Sequence, residues 1–192
     1  PYEPGSIFKA IAMAALLNEG QIEPHSPFHD PGVRSDLCKT PIRNAENKSY
    51  NDTDMTGILE DSINTGMIYI AERLGTSRFR DYVEKFGFGV KSGIELDTEV
   101  SGNIESLNKN KNTKKIDCYT ATASFGQGLT VTPLQMAAAY SAIANGGILM
   151  SPYIVDEMVL PNGKVIKKQA KEVRRVISTH AASLLSGMLV NV

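Results

Sequence analysis

Cysteine, basic runs and long apolar runs are all scarce in this chain, and each scarcity removes a class of protein. The two cysteines, Cys38 and Cys118, lie far apart in polar surroundings, with no Cys-x-x-Cys and no histidine at ligand spacing. Zinc-ribbon and thioredoxin-like motifs are therefore excluded, while free thiols and a disulfide both stay open. His25 and His29 are four apart, but Pro27 between them forbids the helix that would align them on a metal, so both read as loop residues. No metal and no cofactor is expected. A net charge of −1 and a pI near 6.4 give no reason to expect nucleic acid or an anionic lipid surface as partner. The longest unbroken apolar run, residues 10–17, is about half of what a membrane span needs. The chain opens on Pro1 with no signal peptide, so we expect a piece of a longer protein. No internal repeat or low-complexity tract appears.

What is present is an ordinary globular composition, 42% hydrophobic and 21% charged over 192 residues, enough for one core. Its most informative stretch is IFKAIAMAALL at residues 7–17, where Lys9 is the one polar residue. An apolar pattern that covers every face of a helix predicts burial, and a buried ammonium is costly unless something uses it. Ser6 stands three residues before Lys9, which puts both side chains on one helical face, and Pro4-Gly5 suits the turn into that helix.

Along the chain, the first helix ends at residues 18–20, and residues 21–55 read as a long irregular connection rich in Pro, Asp, Asn and Ser. Three short helical pieces follow: residues 57–61, residues 65–74 closed by Gly75, and a piece capped near Thr76 or Ser77 and ended by the glycines of FGFG. Ser62-Ile63-Asn64 falls at the first break. Residues 88–118 read as a surface loop with little regular structure. Thr132, Pro133 and Gln135 then spell a capping box for a helix running to Asn145-Gly146-Gly147. Residues 153–160 and 164–176 read as a β-hairpin around Pro161-Asn162-Gly163, its second arm exposed. Ser178 or Thr179 caps a last helix over residues 181–190.

Two Ser-x-x-Lys pairs occur, Ser6/Lys9 and Ser106/Lys109, and two Ser-x-Asn pairs, Ser62/Asn64 and Ser101/Asn103. The copies at 101–109 sit in the polar loop, where such side chains are expected to be solvated. Ser6 differs because a helix N-terminus favours a nearby oxyanion, with its own N–H a candidate donor. Lys9 could take the Ser6 proton if burial and a neighbouring positive charge lower its pKa enough to leave some amine neutral. The plainer reading is that Ser6 caps the helix and Lys9 snorkels to the surface. Ser62 and Asn64 could equally be caps. In a site, Ser62 would relay a proton and Asn64 would hold Lys9 or a substrate peptide bond.

Read in order, PYEPGSIFK, DSINTG, FGFGVKSGIELDTEVSG, SFGQGLTVTPLQMAAAYSAIANGG and SPYIV resemble the transpeptidase domain of a class B penicillin-binding protein over nearly the whole chain. The resemblance implies an α+β domain of the penicillin-binding protein and serine β-lactamase-like fold. The segment would be mostly helical, with the hairpin near residues 153–176 and most of the central sheet missing. It implies peptidoglycan cross-linking by serine acyl transfer on stem peptides ending in D-Ala-D-Ala, with β-lactams as mimics. On this likeness Ser6 matches the nucleophile, Lys9 the general base, Ser62 the proton relay and Asn64 the group positioning lysine or substrate. Residues 124–128 match a segment that supports the site. The parent is expected at the extracytoplasmic face of the bacterial membrane, membrane-anchored and within a cell-wall synthesis complex.

One departure stands out. The family's third motif, Lys-Thr/Ser-Gly on a strand beside the serine, is matched in letters only by Lys91-Ser92-Gly93, which precedes the glycine-glutamine segment and is read as chance. Residues 1–192 are thus expected to be a partial domain, truncated at both ends and stopping before that motif. Without it we expect the fragment to be inactive and Lys9 to be more exposed and more fully protonated than its role requires. The alternatives are a D,D-carboxypeptidase or β-lactamase-type hydrolase and a non-catalytic penicillin-sensing module. Glu105-Ser106-Leu107-Asn108 is one residue short of the Glu-x-x-Leu-Asn pattern of one hydrolase class, which argues against that class.

Overall fold

The computed structural model describes residues 1–109 and 115–192. A 3-10 turn over Gly5–Phe8 leads into α1, Lys9–Asn18, whose residues 9–17 are all buried. An apolar pattern on every face is what such a position requires. Around α1 pack α3 and α6, described below, so the first helix is the axis of the core.

Residues 21–55 are more ordered than expected. Strand β1, Pro27–Asp30, β2, Val33–Arg34, β3, Ile42–Arg43, and β4, Asn51–Asp54, form two antiparallel pairs, β1 with β4 and β2 with β3. These strands are two to four residues long and mostly polar, so they carry no alternation to betray them; cross-strand polar pairs such as His29 with Asp52 at 2.8 Å accompany them instead. His29 is therefore a strand residue, and His25 pairs with Asp54 at 2.9 Å.

Helix α2, Met55–Glu60, starts two residues before the expected position because the Asp54 side chain accepts from Gly57 N at 2.9 Å and caps it. Helix α3 runs Asn64–Lys85 and is interrupted at Gly75, whose φ of 74° and ψ of 156° lie outside the helical region, at the expected break. The stretch 88–118 holds a 3-10 turn over Glu105–Asn108 and ends at α4, Cys118–Ala123; residues 110–114 lie outside the described part. Cys38 and Cys118 form a disulfide with Cα atoms 5.0 Å apart. Their separation of 80 residues is why the sequence left the choice open.

Helix α5, Pro133–Ala144, carries the reciprocal capping box: Thr132 Oγ1 accepts from Gln135 N at 3.1 Å and Gln135 Oε1 accepts from Thr132 N at 2.9 Å. Strand β5, Ile148–Met150, follows, and then β6, Glu157–Val159, pairs with β7, Val165–Lys167, around the expected turn. The second arm of that hairpin is divided. Its far end is a separate strand, β8, Glu172–Arg175, which leaves β7 and pairs with β5. Ser178 caps α6, Thr179–Met188, by accepting from Ala181 N at 3.1 Å. The described residues thus form an α+β unit with a helical core and four two-stranded sheets.

Candidate active site

Ser6 sits exposed in the 3-10 turn ahead of α1, and that turn is fastened to residues 126–131. Tyr2 pairs with Val131 through two backbone bonds of 2.9 Å, Gly5 N donates to Gly126 O at 3.0 Å, and Gly128 N donates to Glu3 Oε1 at 2.9 Å. Gly126 has φ of 79°, and a Cβ there would stand 2.1 Å from Gly5 O. Only glycine lets the two turns touch. The glycine-glutamine segment therefore holds in place the turn that carries Ser6. From the other side, Tyr140 of α5 donates from its hydroxyl to Ile7 O at 2.8 Å.

The break between α2 and α3 supplies the remaining groups. Ser62 has a φ of 55°, in the left-handed region, at a cost of roughly 1–2 kcal/mol for a residue with a Cβ. That turn brings both its oxygens to one amine. Lys9 Nζ donates to Ser62 O at 2.5 Å, to Ser62 Oγ at 2.9 Å and to Asn64 Oδ1 at 2.9 Å. Ser62 Oγ in turn donates to Ser6 Oγ at 2.9 Å. The four side chains singled out in the sequence thus form one connected line, with Ser62 between Lys9 and Ser6.

Lys9 is only 2% exposed. All three of its acceptors are uncharged oxygens, and no ion pair among the described residues includes it. Burial therefore pushes its pKa down to about 8. The expectation of a more exposed lysine was wrong. The packing of α1 against α3 and the oxygens of Ser62 and Asn64 enclose the amine without any help from a third motif.

Asn64 is oriented by its other end, since its Nδ2 donates to Arg43 O at 2.9 Å and so leaves Oδ1 facing Lys9. A cavity of about 180 Å³ opens above these groups, lined by Ser6, Lys9, Ser62, Glu60, Tyr140 and Leu189 among others. Glu60 and Tyr140 carried no functional signal in the sequence. Nor did Arg43, which takes part through its carbonyl alone.

The other candidate motifs lie elsewhere. Lys91-Ser92-Gly93 follows α3 in a loop, where Ser92 N, Ser92 Oγ and Gly93 N all donate to the Glu99 carboxylate at 2.6, 2.5 and 3.0 Å. It is not on a strand and does not line the Ser6 cavity. Of the loop copies, Lys109 lies over the Tyr119 ring at 4.7 Å, and Asn103 Oδ1 accepts from Glu105 N at 2.8 Å. The Ser106 hydroxyl is enclosed, not solvated as expected.

The family described as penicillin binding protein transpeptidase domain matches residues 1–192, the whole chain. The chain belongs to that family. Among curated relatives, stage V sporulation protein D of Bacillus subtilis is 34% identical over 184 residues, covering 95% of this chain and 28% of its own length. Penicillin-binding protein PbpB of Mycolicibacterium smegmatis is 32% identical over 192 residues, covering 100% of this chain and 29% of its own length. The chain therefore spans less than a third of either relative. Penicillin binding protein 3 of Mycobacterium tuberculosis, solved in complex with aztreonam, superposes with a TM-score of 0.86 at 29% identity, over 98% of this chain and 41% of that one. A peptidoglycan synthetase from Bifidobacterium adolescentis gives 0.89 at 28% identity, over 99% of this chain and 34% of that one. The fold class read from the motifs is the fold of these class B proteins.

Proposed function

We propose that residues 1–192 carry the acylation half of a serine D,D-transpeptidase, which in the longer protein cross-links peptidoglycan stem peptides and is acylated by β-lactams. The observation that carries this reading is the line Lys9 Nζ–Ser62 Oγ–Ser6 Oγ, with links of 2.9 and 2.9 Å.

The chemistry follows from which of the Lys9 partners can donate. Ser62 O and Asn64 Oδ1 can only accept, so they hold two N–H groups in either protonation state. Ser62 Oγ can also donate. When Lys9 is neutral, its lone pair accepts from Ser62, and Ser62 accepts from Ser6, so the proton leaves Ser6 as its oxygen attacks the penultimate D-alanine carbonyl. With a pKa of about 8, about one lysine in ten is neutral at pH 7. The proton stored on Lys9 returns through Ser62 to the leaving D-alanine nitrogen as the C–N bond breaks. A neighbouring stem peptide's amine then attacks the ester, loses a proton by the same path, and Ser6 regains its hydrogen. The Ser6 N–H is a candidate donor to the oxyanion.

A cation and a second oxyanion donor from a Lys-Thr/Ser-Gly strand are the parts this chain does not contain, so the isolated 192 residues should show negligible turnover. We place the longer protein at the extracytoplasmic face of the cell membrane, where the peptidoglycan it would cross-link lies; no helix among the described residues is long and apolar enough to cross a membrane. Labelling the full gene product with fluorescent penicillin, followed by peptide mapping, tests the proposal. An adduct on Ser6 is expected, and its absence sinks the reading.

A further inference from the structure

The buried carboxylate of Asp30 has no part in the line just described, yet it lies behind the Asn64 end of it. Asp30, at the end of β1, is 1% exposed and makes no ion pair among the described residues. Four neutral donors converge on it instead. Oδ1 accepts from Gly32 N at 2.9 Å and from the Thr65 hydroxyl in a short bond, while Oδ2 accepts from Asn44 Nδ2 and from Tyr50 N, both at 2.8 Å. A carboxylate is the side chain that can accept four bonds and offers no donor to clash with them.

Two of those donors adjoin the site. Thr65 follows Asn64 at the start of α3, and Asn44 follows Arg43 at the end of β3. Asn44 Oδ1 also accepts from Thr65 N at 3.1 Å, so the two neighbours are tied to each other as well as to Asp30. Between them runs the 2.9 Å bond from Asn64 Nδ2 to Arg43 O, which decides that Oδ1 and not Nδ2 faces Lys9.

We propose that Asp30 is a positioning residue for acyl transfer: by clamping Thr65 and Asn44 it fixes the Arg43–Asn64 bond and thereby the oxygen that Asn64 presents to Lys9. The proposal rests on the acyl-transfer reading above for its consequence, but the geometry it invokes is independent of it. Burial acts to raise the Asp30 carboxyl, and the hydrogen bonds from Thr65, Tyr50, Gly32 and Asn44 outweigh it, holding the group below the usual carboxylate range. The clamp is thus ionised throughout the pH range in which Lys9 titrates. If it is broken, the Asn64 amide can turn, and an N–H then meets the Lys9 ammonium. The charged form of Lys9 loses an acceptor, and its titration moves to lower pH. Glu60 of α2 and Tyr140 of α5, ionisable groups that line the same cavity as Lys9 among the described residues, are untouched by the substitutions below.

The test uses the full gene product and compares Asp30→Asn, Thr65→Val and Thr65→Ser. Two quantities are read: the Lys9 titration by NMR of labelled lysine, and the pH profile of the acylation rate with fluorescent penicillin, per folded molecule. Thr65→Val should lower the Lys9 midpoint by half a pH unit or more and move the acid limb of the acylation profile down by the same amount, whereas Thr65→Ser, which keeps the hydroxyl, should match the wild type. Asp30→Asn should act as Thr65→Val does; if it does not fold, the Thr65 pair decides alone. A Lys9 midpoint unmoved in Thr65→Val, or moved equally in Thr65→Ser, overturns the proposal and leaves Asp30 a purely structural carboxylate. A wild type that forms no adduct on Ser6 instead overturns the acyl-transfer reading, and the Lys9 titration still decides the positioning role.

Discussion

Ser62 meets Lys9 twice, through its carbonyl oxygen at 2.5 Å and its hydroxyl at 2.9 Å. The left-handed backbone at Ser62 makes this possible, because it turns the carbonyl at the end of α2 back toward the amine while the side chain points on to Ser6. One contact holds the lysine and the other carries its proton.

Removing the proton acceptor tests that division. Lys9→Arg keeps a cation that does not deprotonate, so acylation by penicillin in the full gene product should fall by about 100-fold or more. Ser62→Ala leaves Lys9 with the Ser62 carbonyl and the Asn64 oxygen but cuts the line to Ser6, and should cost a similar factor. Stopped-flow acylation rates check both, and a wild-type rate in either variant would contradict the relay.

The pH dependence of stability follows from the same burial. Lys9 has a folded pKa of about 8 against an ordinary value of 10.5, so between those limits the unfolded chain binds more protons than the folded one. Stability rises with pH wherever that holds, and this contribution is a penalty of roughly 3 kcal/mol below pH 8 that disappears by about pH 10.5. Chemical denaturation at pH 7.5 and 10 should show the rise in the wild type and lose it in Lys9→Met.

Gly126→Ala should be among the most damaging substitutions. Its Cβ would lie 2.1 Å from Gly5 O and 2.6 Å from Gly5 N, on a backbone with φ of 79°. The Ser6 turn must move, so we expect a loss of roughly 2 kcal/mol or more together with loss of penicillin labelling. Thermal melting and gel fluorescence report the two separately.

Reduction of the Cys38–Cys118 bond opens a loop of 80 residues. The chain-entropy account of such a crosslink puts the loss at about 4.5 kcal/mol. The melting temperature should drop in dithiothreitol and in Cys38→Ser alike, and reductant should have no further effect on the variant.

Thr132→Ala removes the hydroxyl that accepts from Gln135 N, at a cost of about 1 kcal/mol. For a domain of this size that is a fall of about 2–4 °C in melting temperature, with acylation per folded molecule unchanged because α5 meets the site through Tyr140.

How much of this was legible beforehand depended on distance along the chain. The capping box of α5, the turn at 161–163, the break at Gly75 and the burial of α1 are written in residues within a few positions of one another. The β1/β4 and β2/β3 pairs were not legible, since strands of two to four polar residues have no periodicity to read. The division of the second hairpin arm was missed because β8 finds its partner in β5, more than twenty residues away.

By itself the sequence determined the family, through five short motifs in order, and the identities of Ser6, Lys9, Ser62 and Asn64 as the groups to watch. It could not say that Ser62 stands between Lys9 and Ser6, that Asn64 is turned by Arg43 O, or that Asp30 and Asn44 lie behind them. Those are contacts across 14 to 56 residues of chain. Nor could it set the state of Lys9, because a pKa depends on how fully the packed helices exclude water and on which oxygens remain within reach. The tertiary structure decided both, closing α1, α3 and the Ser62 turn around an amine that local sequence marked only as out of place.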